Sequence, residues 1–466
     1  MKKRNYLNCR FKYLSLLSVL LLLSILLLSE SSMGPFRSRL ERYLSKVTLE
    51  SLDPLSSSQQ ERLLIIAPHP DDETIGSAGI IQKAIQNNDE VRVVLVSNGD
   101  GFGDILDETI IAKFRSQDHG LKIGYRRQEE SIRALETIGL LRKHITFLGY
   151  PDGGLKHLWF ENWEKPFYSI HTKSDYSPYN NSFTLSAPYH GQAISKDLSY
   201  ILEEFQPTLI VTPSYYDFHP DHRASTNFVI AEVEKFKIQN IPWAKEIKIH
   251  YYLVHHGKLR WPRPWGFHPK EVLLPPESML GMDVKWYHSP LNEVSIDIKK
   301  NAMDQYTSQI KMIGGYMYAF VRDTELFNIH EWDTHLMMDP SNDYFIKDLI
   351  RGGDFVSLRL ESEPDHLILQ VETFPKGLPG NLSYGLQVVF YEQLANGEIV
   401  EHRKKWKFQK KEVYLREDQL QFTIPIQDFT NLYGCFVSLE SYDQHHTILI
   451  DHFPWSFFRL KDLPLS

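Results

Sequence analysis

Short apolar runs alternate with segments of helical periodicity between residues 61 and 335. Five of the runs, in chain order, are RLLIIAP, VRVVLVSN, ITFLGYP, TLIVTPS and KIHYYLV. The segments between them place apolar residues three or four positions apart, as in RRQEESIRALETIGL. Strands that alternate with helices in this way are typical of βαβ units. We therefore predict an α/β domain over residues 61–335, with a Rossmann-like, mostly parallel sheet and helices on both faces.

The pattern changes after about residue 350, where apolar and polar residues alternate one by one. The stretch SYGLQVVFYEQLANGEIVEHRKKWKF alternates on both sides of ANGE, a sequence typical of a hairpin turn. The runs QLQFTIPI, CFVSLESYD and TILIDHF continue the alternation without a convincing helix. This pattern predicts a C-terminal all-β, sandwich-like domain over residues 350–466.

The first thirty residues show neither pattern. Five basic residues precede an uncharged, leucine-rich run from Tyr13 to Ser29, which as a helix would extend roughly 25 Å. This length is at the short end of what crosses a bilayer, and the basic flank favours a cytoplasmic N-terminus. We predict a signal anchor at residues 1–30 and a serine-rich stalk at 31–60, which gives a single-pass membrane protein with its folded domains on the non-cytoplasmic side. The alternative is a cleaved signal peptide and a secreted protein.

Composition narrows the classes of function. The chain has 466 residues and a formal net charge of −8, so it lacks the basic field that draws proteins to nucleic acid. Its two cysteines, Cys9 and Cys435, lie far apart in the sequence and indicate neither a disulfide framework nor a thiolate metal site. Any metal would therefore be held by histidine and carboxylate. No protein partner can be named from the sequence.

An acidic turn, HPDDE, follows the first apolar run directly. If Leu63–Ala67 is a buried parallel strand, this turn lies at the carboxyl edge of the sheet, where such folds place their ligand sites. His69 and Asp72 together suit zinc or a similar divalent cation, and Asp71 would lie close enough to accept a proton from water. The alternative is the N-terminus of a helix that begins near Thr74, at which Asp72 caps while Asp71 and Glu73 complement the helix dipole.

A second turn repeats the arrangement in TLIVTPSYYDFHPDHRAS. His219 and His222 are three residues apart, with Asp217 and Asp221 beside them. Either histidine could complete a three-ligand site with the first turn and leave a position open for water, as catalytic zinc requires. Each turn alone is also compatible with a capped helix. Two such turns behind two strands of one predicted sheet favour a shared metal site.

The two turns together resemble the PIG-L/LmbE family of zinc-dependent deacetylases, which remove acetyl groups from N-acetylglucosamine units. The resemblance covers about residues 60–330 and rests on APHPDDE at 67–73 paired with HPDH at 219–222. Supporting matches are RRQEESIRALETIG at 126–139, GYPDG at 149–153, HGQAISKDL at 190–198 and KKNAMDQYTSQ at 299–309. The resemblance implies metal ligands His69, Asp72 and His222, a general base Asp71, an oxyanion or amine contact His219 oriented by Asp221, and sugar contacts Arg127 and Asp152.

The predicted function is therefore a metal-dependent hydrolase that removes the N-acetyl group from an N-acetylglucosamine-type sugar in a glycolipid, glycoside or polysaccharide. The expected cofactor is Zn²⁺ or another divalent cation, and His219 is expected to face the developing oxyanion with a positive charge. Two alternatives stay open: a metal-dependent amidase or esterase for another acylated substrate, and a glycan-binding protein with a vestigial site. His255 and His256 follow a strand of the same predicted sheet and are interpreted as a satisfied or exposed pair, with pocket lining as the alternative.

Overall fold

A computed structural model describes residues 53–54, 61–102, 117–257, 261–279, 282, 284–330, 336–339, 353–374, 381–416 and 418–460. The predicted signal anchor and nearly all of the predicted stalk lie outside these residues. No helix in the described part of the chain combines the length and apolarity needed to cross a bilayer. Asp53–Ser466 form one compact unit, so the predicted limits of the two folded domains stay predictions.

The α/β part is built on one mostly parallel sheet. Its strands are β1 (Asp53–Pro54), β2 (Arg62–Ala67), β3 (Glu90–Ser97), β4 (Ile145–Tyr150), β5 (Leu209–Pro213), β6 (Lys248–Tyr252), β7 (Lys285–Pro290) and β8 (Thr324–Ile329). They lie in the order β1-β7-β8-β6-β5-β2-β3-β4. Strands β4, β3, β2, β5 and β6 are parallel neighbours, whereas β8 is antiparallel to both β6 and β7. The predicted α/β fold is confirmed.

Helices cover this sheet. They are α1 (Asp72–Gln86), α2 (Gln117–Ile138), α3 (Leu155–Trp159), α4 (Gly191–Phe205), α5 (Pro220–Ile238), α6 (Pro242–Lys245), α7 (Glu293–Met303) and α8 (Thr307–Tyr318). All five residues from Leu63 to Ala67 in β2 are at most 1% exposed, which means that both faces of the strand are covered. Continuous apolar runs in the sequence are thus the signature of the buried strands.

The C-terminal part consists of two antiparallel sheets. Its strands are β9 (Leu336–Met338), β10 (Phe355–Ser362), β11 (His366–Thr373), β12 (Leu382–Gln393), β13 (Ile399–Gln409), β14 (Tyr414–Arg416), β15 (Gln419–Pro425), β16 (Leu432–Asp443) and β17 (Leu449–Arg459), with a short helix α9 (Lys410–Val413). The sheet orders are β14-β15-β11-β10-β9 and β13-β12-β16-β17. Tyr384 of β12 packs against Phe422 of β15 with ring centroids 5.9 Å apart, so the sheets face each other as predicted. Since β9 joins the first sheet, this part already includes residues before 350.

Aromatic side chains join the two parts. Trp159 of α3 contacts Phe228 of α5 at 5.1 Å and Phe436 of β16 at 5.0 Å, measured between ring centroids. The ring of Trp159 is 1% exposed. Burial of this aromatic cluster fixes α3 and α5 against the C-terminal sheets. The N-terminus of α5 carries the second His/Asp turn, so the sandwich supports an element of the candidate site.

The fold brings five chain segments to one edge of the sheet. Because β2 to β6 run parallel, the residues that follow these strands all emerge at their carboxyl ends. These segments are Pro68–Glu73 after β2, Asn98–Phe102 after β3, Pro151–Gly154 after β4, Ser214–His219 after β5 and Leu253–Gly257 after β6. These segments contain most of the residues predicted to belong to the site. The exceptions are Arg127 on α2 and Asp221 and His222 in the first turn of α5.

Candidate metal centre

The first turn is folded around the carboxylate of Asp72. The backbone N–H of His69 donates to Asp72 Oδ2 at 3.0 Å. Asp71 occupies the N-cap position of α1, but its side chain makes no capping hydrogen bond. Its φ of 129° lies in a region that residues with a Cβ rarely adopt, at a cost of about 1–3 kcal/mol. The helix-cap interpretation therefore does not account for this turn.

The three predicted ligands meet at one oxygen atom. Asp72 Oδ2 lies 3.2 Å from His69 Nδ1 and 3.1 Å from His222 Nε2. Two ligand atoms bound to the same tetrahedral zinc ion stand roughly 3.3 Å apart, given bonds of about 2.0–2.1 Å. The two distances to Asp72 Oδ2 thus match those between neighbouring ligands of a small divalent cation.

The outer nitrogen of each histidine faces a carboxylate. His222 Nδ1 lies 3.1 Å from Asp217 Oδ2, and His69 Nε2 lies 3.2 Å from Asp152 Oδ1 and 3.4 Å from Asp221 Oδ2. A carboxylate behind a ligating histidine sets its tautomer and ring orientation and makes the coordinating nitrogen more basic. Both imidazoles therefore have the surroundings expected of metal ligands.

His222 provides the test of whether a cation fits. Its side chain is fully buried, and among the described residues neither ring nitrogen makes a hydrogen bond of acceptable geometry. Buried polar atoms without a partner are rare, and they indicate a missing ligand, ion or water. At this edge of the sheet, three groupings each have donor atoms within 4.8 Å of one another: His69, His219 and His222; Asp72, His222 and His255; and His69, Asp152 and Asp221. The donor set fits zinc or a comparable divalent cation.

The charges of these ligands depend on each other. Burial alone would raise the pKa of Asp72, but His222 and His69 hold it well below its ordinary value. Burial alone would lower the pKa of His222, but Asp217 and Asp72 raise it to about 9. For His69, the surrounding carboxylates, Asp152 foremost, outweigh burial and raise the pKa well above its ordinary value. A cation that binds these groups must displace the histidine protons.

Asp71 lies beside the ligands but has a different partner. Its Oδ2 accepts a hydrogen bond from Arg127 Nη2 at 3.2 Å. Burial raises the pKa of Asp71 to about 8; the charge of Arg127 opposes this shift, and the neighbouring Asp72 and Glu73 add to it. A carboxyl group whose pKa lies near neutrality is suited to accept and return a proton.

Glu73, for which the sequence suggested no more than a place in the helix dipole, holds the turn in position. Its Oε2 accepts from the backbone N–H of Asp71 at 3.0 Å, and its Oε1 accepts from the Tyr306 hydroxyl at 2.6 Å. The Tyr306 oxygen also lies 2.8 Å from Thr74 Oγ1. Tyr306 lies within the segment 299–309 that carries the family resemblance, but its partner could not be identified without the fold.

The guanidinium of Arg127, which was predicted to contact sugar, forms hydrogen bonds within the protein. Besides Asp71, its guanidinium donates to the carbonyl oxygens of Pro70 at 2.6 Å and Gly99 at 3.1 Å, and the residue is 3% exposed. A Cβ at Gly99 would lie 2.0 Å from Arg127 Nη1, and Gly99 has a φ of +62°. Glycine is therefore required at 99 for Arg127 to reach the first turn.

Asp152 and Asp221 anchor loops around His69. Asp152 Oδ2 accepts from the backbone N–H of Gly101 at 2.9 Å, and its side chain is 12% exposed. Asp221 accepts from the backbone N–H groups of Gly153 at 2.7 Å and Leu155 at 3.0 Å. The Asp221 carboxylate therefore holds the loop after β4 and faces His69. The contact of Asp221 with His219, which the family resemblance implies, is made by the backbone N–H of Asp221.

The surroundings of His219 favour its neutral form, whereas a positive charge was expected. It is the N-cap of α5, and its Nδ1 accepts from the backbone N–H of Asp221 at 3.3 Å. Burial, together with the nearby His69 and His222, lowers the pKa of His219 well below its ordinary value. A neutral ring that accepts at Nδ1 carries its proton at Nε2. His219 thus offers one N–H donor at the site, 4.6 Å from the His69 ring between centroids.

Of the paired histidines after β6, one lies at the site. The ring centroid of His255 is 4.8 Å from that of His222 and 5.3 Å from that of His219. His256 Nε2 instead lies 2.7 Å from Ser278 Oγ, outside the cation groupings. The alternative of pocket lining therefore holds for His255 and not for His256.

Residues 64–233 match the model of the PIG-L family, described as GlcNAc-PI de-N-acetylase. A 1D-myo-inositol 2-acetamido-2-deoxy-alpha-D-glucopyranoside deacetylase from Mycobacterium sp. (strain KMS) is 29% identical over 192 residues, which cover 40% of this chain and 54% of the relative. A deacetylase of the same name from Mycolicibacterium smegmatis is 34% identical over 86 residues, 18% of this chain and 29% of the relative. The chain thus matches about half the length of the first of these curated relatives.

Two solved structures are similar to part of the chain. The conserved protein TT1542 from Thermus thermophilus has 19% identity and a TM-score of 0.35, with 57% of this chain and 93% of that chain covered. The N,N'-diacetylchitobiose deacetylase from Pyrococcus horikoshii has 18% identity and a TM-score of 0.35, with 64% and 92% covered.

Proposed function

We propose that this chain, a PIG-L family member through residues 64–233, hydrolyses the acetamido group of an N-acetylated amino sugar with a divalent cation at His69, Asp72 and His222. The observation that carries the proposal is the meeting of two sequence-distant turns at one carboxylate oxygen, 3.2 Å from His69 Nδ1 and 3.1 Å from His222 Nε2. The names of the curated relatives, all deacetylases of an acetamido sugar, support the substrate class.

A bound divalent cation would supply the Lewis acidity that the side chains lack. When bound, a divalent cation such as zinc would polarise the acetamide carbonyl and make water nucleophilic near neutral pH. The residues around it then bind, orient and move protons. The reaction adds water oxygen to the carbonyl carbon, breaks the bond from carbon to nitrogen and releases acetate and the free amine.

Asp71 is proposed to move the proton. In its ionised form the carboxylate accepts a proton from the attacking water and afterwards returns it to the departing amine nitrogen. Arg127 holds the carboxylate at 3.2 Å, and Glu73 holds the Asp71 backbone at 3.0 Å, so the base is fixed before substrate arrives. This arrangement keeps Asp71 apart from the ligand set although it is adjacent to Asp72 in sequence.

His219 is proposed to stabilise the oxyanion as a neutral donor. The Asp221 N–H group bonded to Nδ1 leaves the proton on Nε2, which is free to point at the developing negative charge. A single donor of this kind contributes about 10²–10³ in rate. Asp152, whose carboxylate is partly exposed beside His69, is proposed to accept from a sugar hydroxyl. Arg127 is proposed to act chiefly by positioning Asp71, since its guanidinium already donates to three groups of the chain.

The test combines metal analysis of the purified protein with acetate release from N-acetylglucosaminyl lipids, oligosaccharides and small glycosides. The proposal expects one divalent cation per chain and acetate release from at least one class of acetamido sugar. Release of acyl groups only from other amides or esters would favour a different metal hydrolase. Binding of glycans without any release of acetate would indicate a glycan-binding protein.

We also propose that the chain is tethered to a membrane by residues 1–30, with the catalytic part on the non-cytoplasmic side. The support is the basic flank and the apolar run of the sequence itself. Added protease should cleave the C-terminal part in sealed vesicles whose outer face is the non-cytoplasmic side of the membrane. The same part should be protected in sealed vesicles of the opposite orientation. Recovery of a soluble protein that begins near residue 31 would show a cleaved signal peptide instead.

A further inference from the structure

His255 is held by its backbone against the second turn. Its N–H donates to Asp217 Oδ2 at 2.9 Å, and its carbonyl oxygen accepts from the N–H of Phe218 at 2.8 Å. These bonds join the segment after β6 to the segment after β5, beyond the last residue pair of the two strands. The position of His255 relative to the HPDH turn is therefore fixed by hydrogen bonds and not by side-chain packing alone.

The buried carboxylate of Asp217 connects three histidines. It is 0% exposed, it accepts from the backbone N–H groups of His219 at 2.8 Å and His255 at 2.9 Å, and it lies 3.1 Å from His222 Nδ1. One carboxylate thus sets the positions of His219, His222 and His255 together. An arrangement in which one group orients several potential ligands is typical of a metal site with an organised outer shell.

The His255 side chain lies close to Asp72 and His222, two of the proposed cation ligands. One donor atom each from Asp72, His222 and His255 lie within 4.8 Å of one another, the same limit that the grouping of His69, His219 and His222 satisfies. The Tyr316 ring stacks against His255 with an interplanar angle of 12° and centroids 6.2 Å apart, which restricts how the imidazole can turn. Tyr316 is itself held by a hydrogen bond from its hydroxyl to the carbonyl oxygen of Val254.

We infer that His255 is a further protein ligand of the cation, added to His69, Asp72 and His222. The inference rests on the proposed function, because it concerns the ion of that same site. Catalytic zinc can expand from four to five ligands, and in a five-coordinate ion four protein donors leave one position for water or substrate. The centre would then hold three imidazoles and one carboxylate.

X-ray absorption spectroscopy of the zinc-loaded wild-type protein counts the imidazoles directly and needs no variant. The inference expects scattering from three imidazole rings per zinc ion. A count of two would overturn the inference while it leaves the proposed function intact. A wild-type protein that binds neither zinc nor cobalt would instead contradict the proposed function.

Cobalt(II) titration of the metal-free protein adds a comparison between neighbouring histidines. His255→Gln should bind cobalt roughly tenfold or more weakly than the wild type and should shift its visible absorption band. His256→Gln is the matched control and should keep both the affinity and the band. A His255→Gln spectrum and affinity equal to those of the wild type would contradict the inference, provided that circular dichroism shows both variants folded.

The double variant tests whether His255 and His69 support the same ion. His69→Gln should keep weakened cobalt binding because Asp72, His222 and His255 remain. The double variant, with both His69→Gln and His255→Gln, should bind no cobalt. If the double variant binds cobalt as well as His69→Gln alone, His255 is not a ligand.

Discussion

The two ends of α5 bury charged side chains in opposite ways. Near its C-terminus, Lys235 lies 2.6 Å from Glu232 and 2.8 Å from Glu401, and Glu234 lies 2.9 Å from Arg459. Near its N-terminus, the fully buried His222 faces two carboxylates at 3.1 Å, yet neither ring nitrogen is hydrogen-bonded among the described residues. At the C-terminal end, the buried charges pair with opposite charges of the same chain. At the N-terminal end, the side chains are those proposed to bind a cation.

The pKa shifts are mixed at both ends. At the C-terminal end, charge partners outweigh burial for Lys235, whose pKa is raised, and for Glu234 and Glu401, whose pKa values are lowered, whereas burial raises the pKa of Glu232. At the N-terminal end, the neighbouring carboxylates raise the pKa of His222 to about 9, while burial raises the pKa of Asp71, in the adjacent first turn, to about 8 despite the charge of Arg127. A carboxyl group whose pKa is shifted toward neutrality beside metal-ligating side chains is a candidate acid–base group.

The largest expected effect follows from His222→Gln. This change removes a ligand and leaves Asp72 with the His69 imidazole alone of its two imidazole partners, so the cation content should fall and acetate release should drop to background. Elemental analysis and an acetate assay measure the two quantities on the same sample. Full activity with a normal metal content would show that the N-terminal end of α5 does not hold the ion.

Asp71→Asn should separate metal binding from chemistry. Loss of the proton acceptor should lower the rate of acetate release by at least about a hundredfold, the lower limit of general-base effects. The metal content should stay that of the wild type, because Asp71 contributes no ligand atom. A variant with a normal rate would remove Asp71 from the mechanism, whereas loss of metal would mean that Asp71 belongs to the ligand set.

Lys235→Met tests the opposite end of the helix. Removing the Lys235 ammonium group from Glu232 and Glu401 should lower the free energy of unfolding by roughly 2–3 kcal/mol. This is less than for a fully buried ion pair, because the Lys235 side chain is 18% exposed. Urea unfolding measures this change, and Lys196→Met on α4 serves as a surface control. Metal content and acetate release per folded molecule should not change. A specific loss of metal in Lys235→Met would show that the two ends of α5 are coupled.

A further expected effect is a pH dependence of stability in the metal-free protein. Because the pKa of Asp71 is raised from 3.8 to about 8, its contribution to stability is complete below pH 4 and is lost as pH rises toward 8. Asp71→Asn lacks this loss, so its stability relative to the wild type should increase between pH 5 and pH 8. Urea midpoints at several pH values measure the difference. A constant difference would mean that the pKa of Asp71 is not raised.

The fold and the meeting of the two His/Asp turns were predictable because both depend on local patterns. Continuous apolar runs such as Leu63–Ala67 identify buried parallel strands, and parallel strands bring the turns that follow them to one edge. The choice of His69, Asp72 and His222 as ligands came from the family resemblance and stays a prediction. The domain limits could not be tested in this way, since Asp53–Ser466 form one unit.

The contacts that the sequence did not specify depend on strand order and burial. Asp221 is adjacent in sequence to the turn of His219, but its carboxylate binds Gly153 and Leu155 after β4, a partner that only the three-dimensional arrangement reveals. The charge of His219 depends on its burial among other histidines, which the sequence does not encode locally. His255 reaches the site because β6 neighbours β5, and an apolar pattern does not specify that order.

The most direct test of the account is the return of activity to the metal-free protein. The purified protein is stripped with a chelator, zinc is added back stepwise, and acetate release from an N-acetylated amino sugar is followed against zinc bound per chain. The account predicts no release without metal, full release at one equivalent of zinc, and no recovery in His222→Gln at the same zinc concentrations. Acetate release that survives removal of the metal, or that zinc restores equally in His222→Gln, would contradict it.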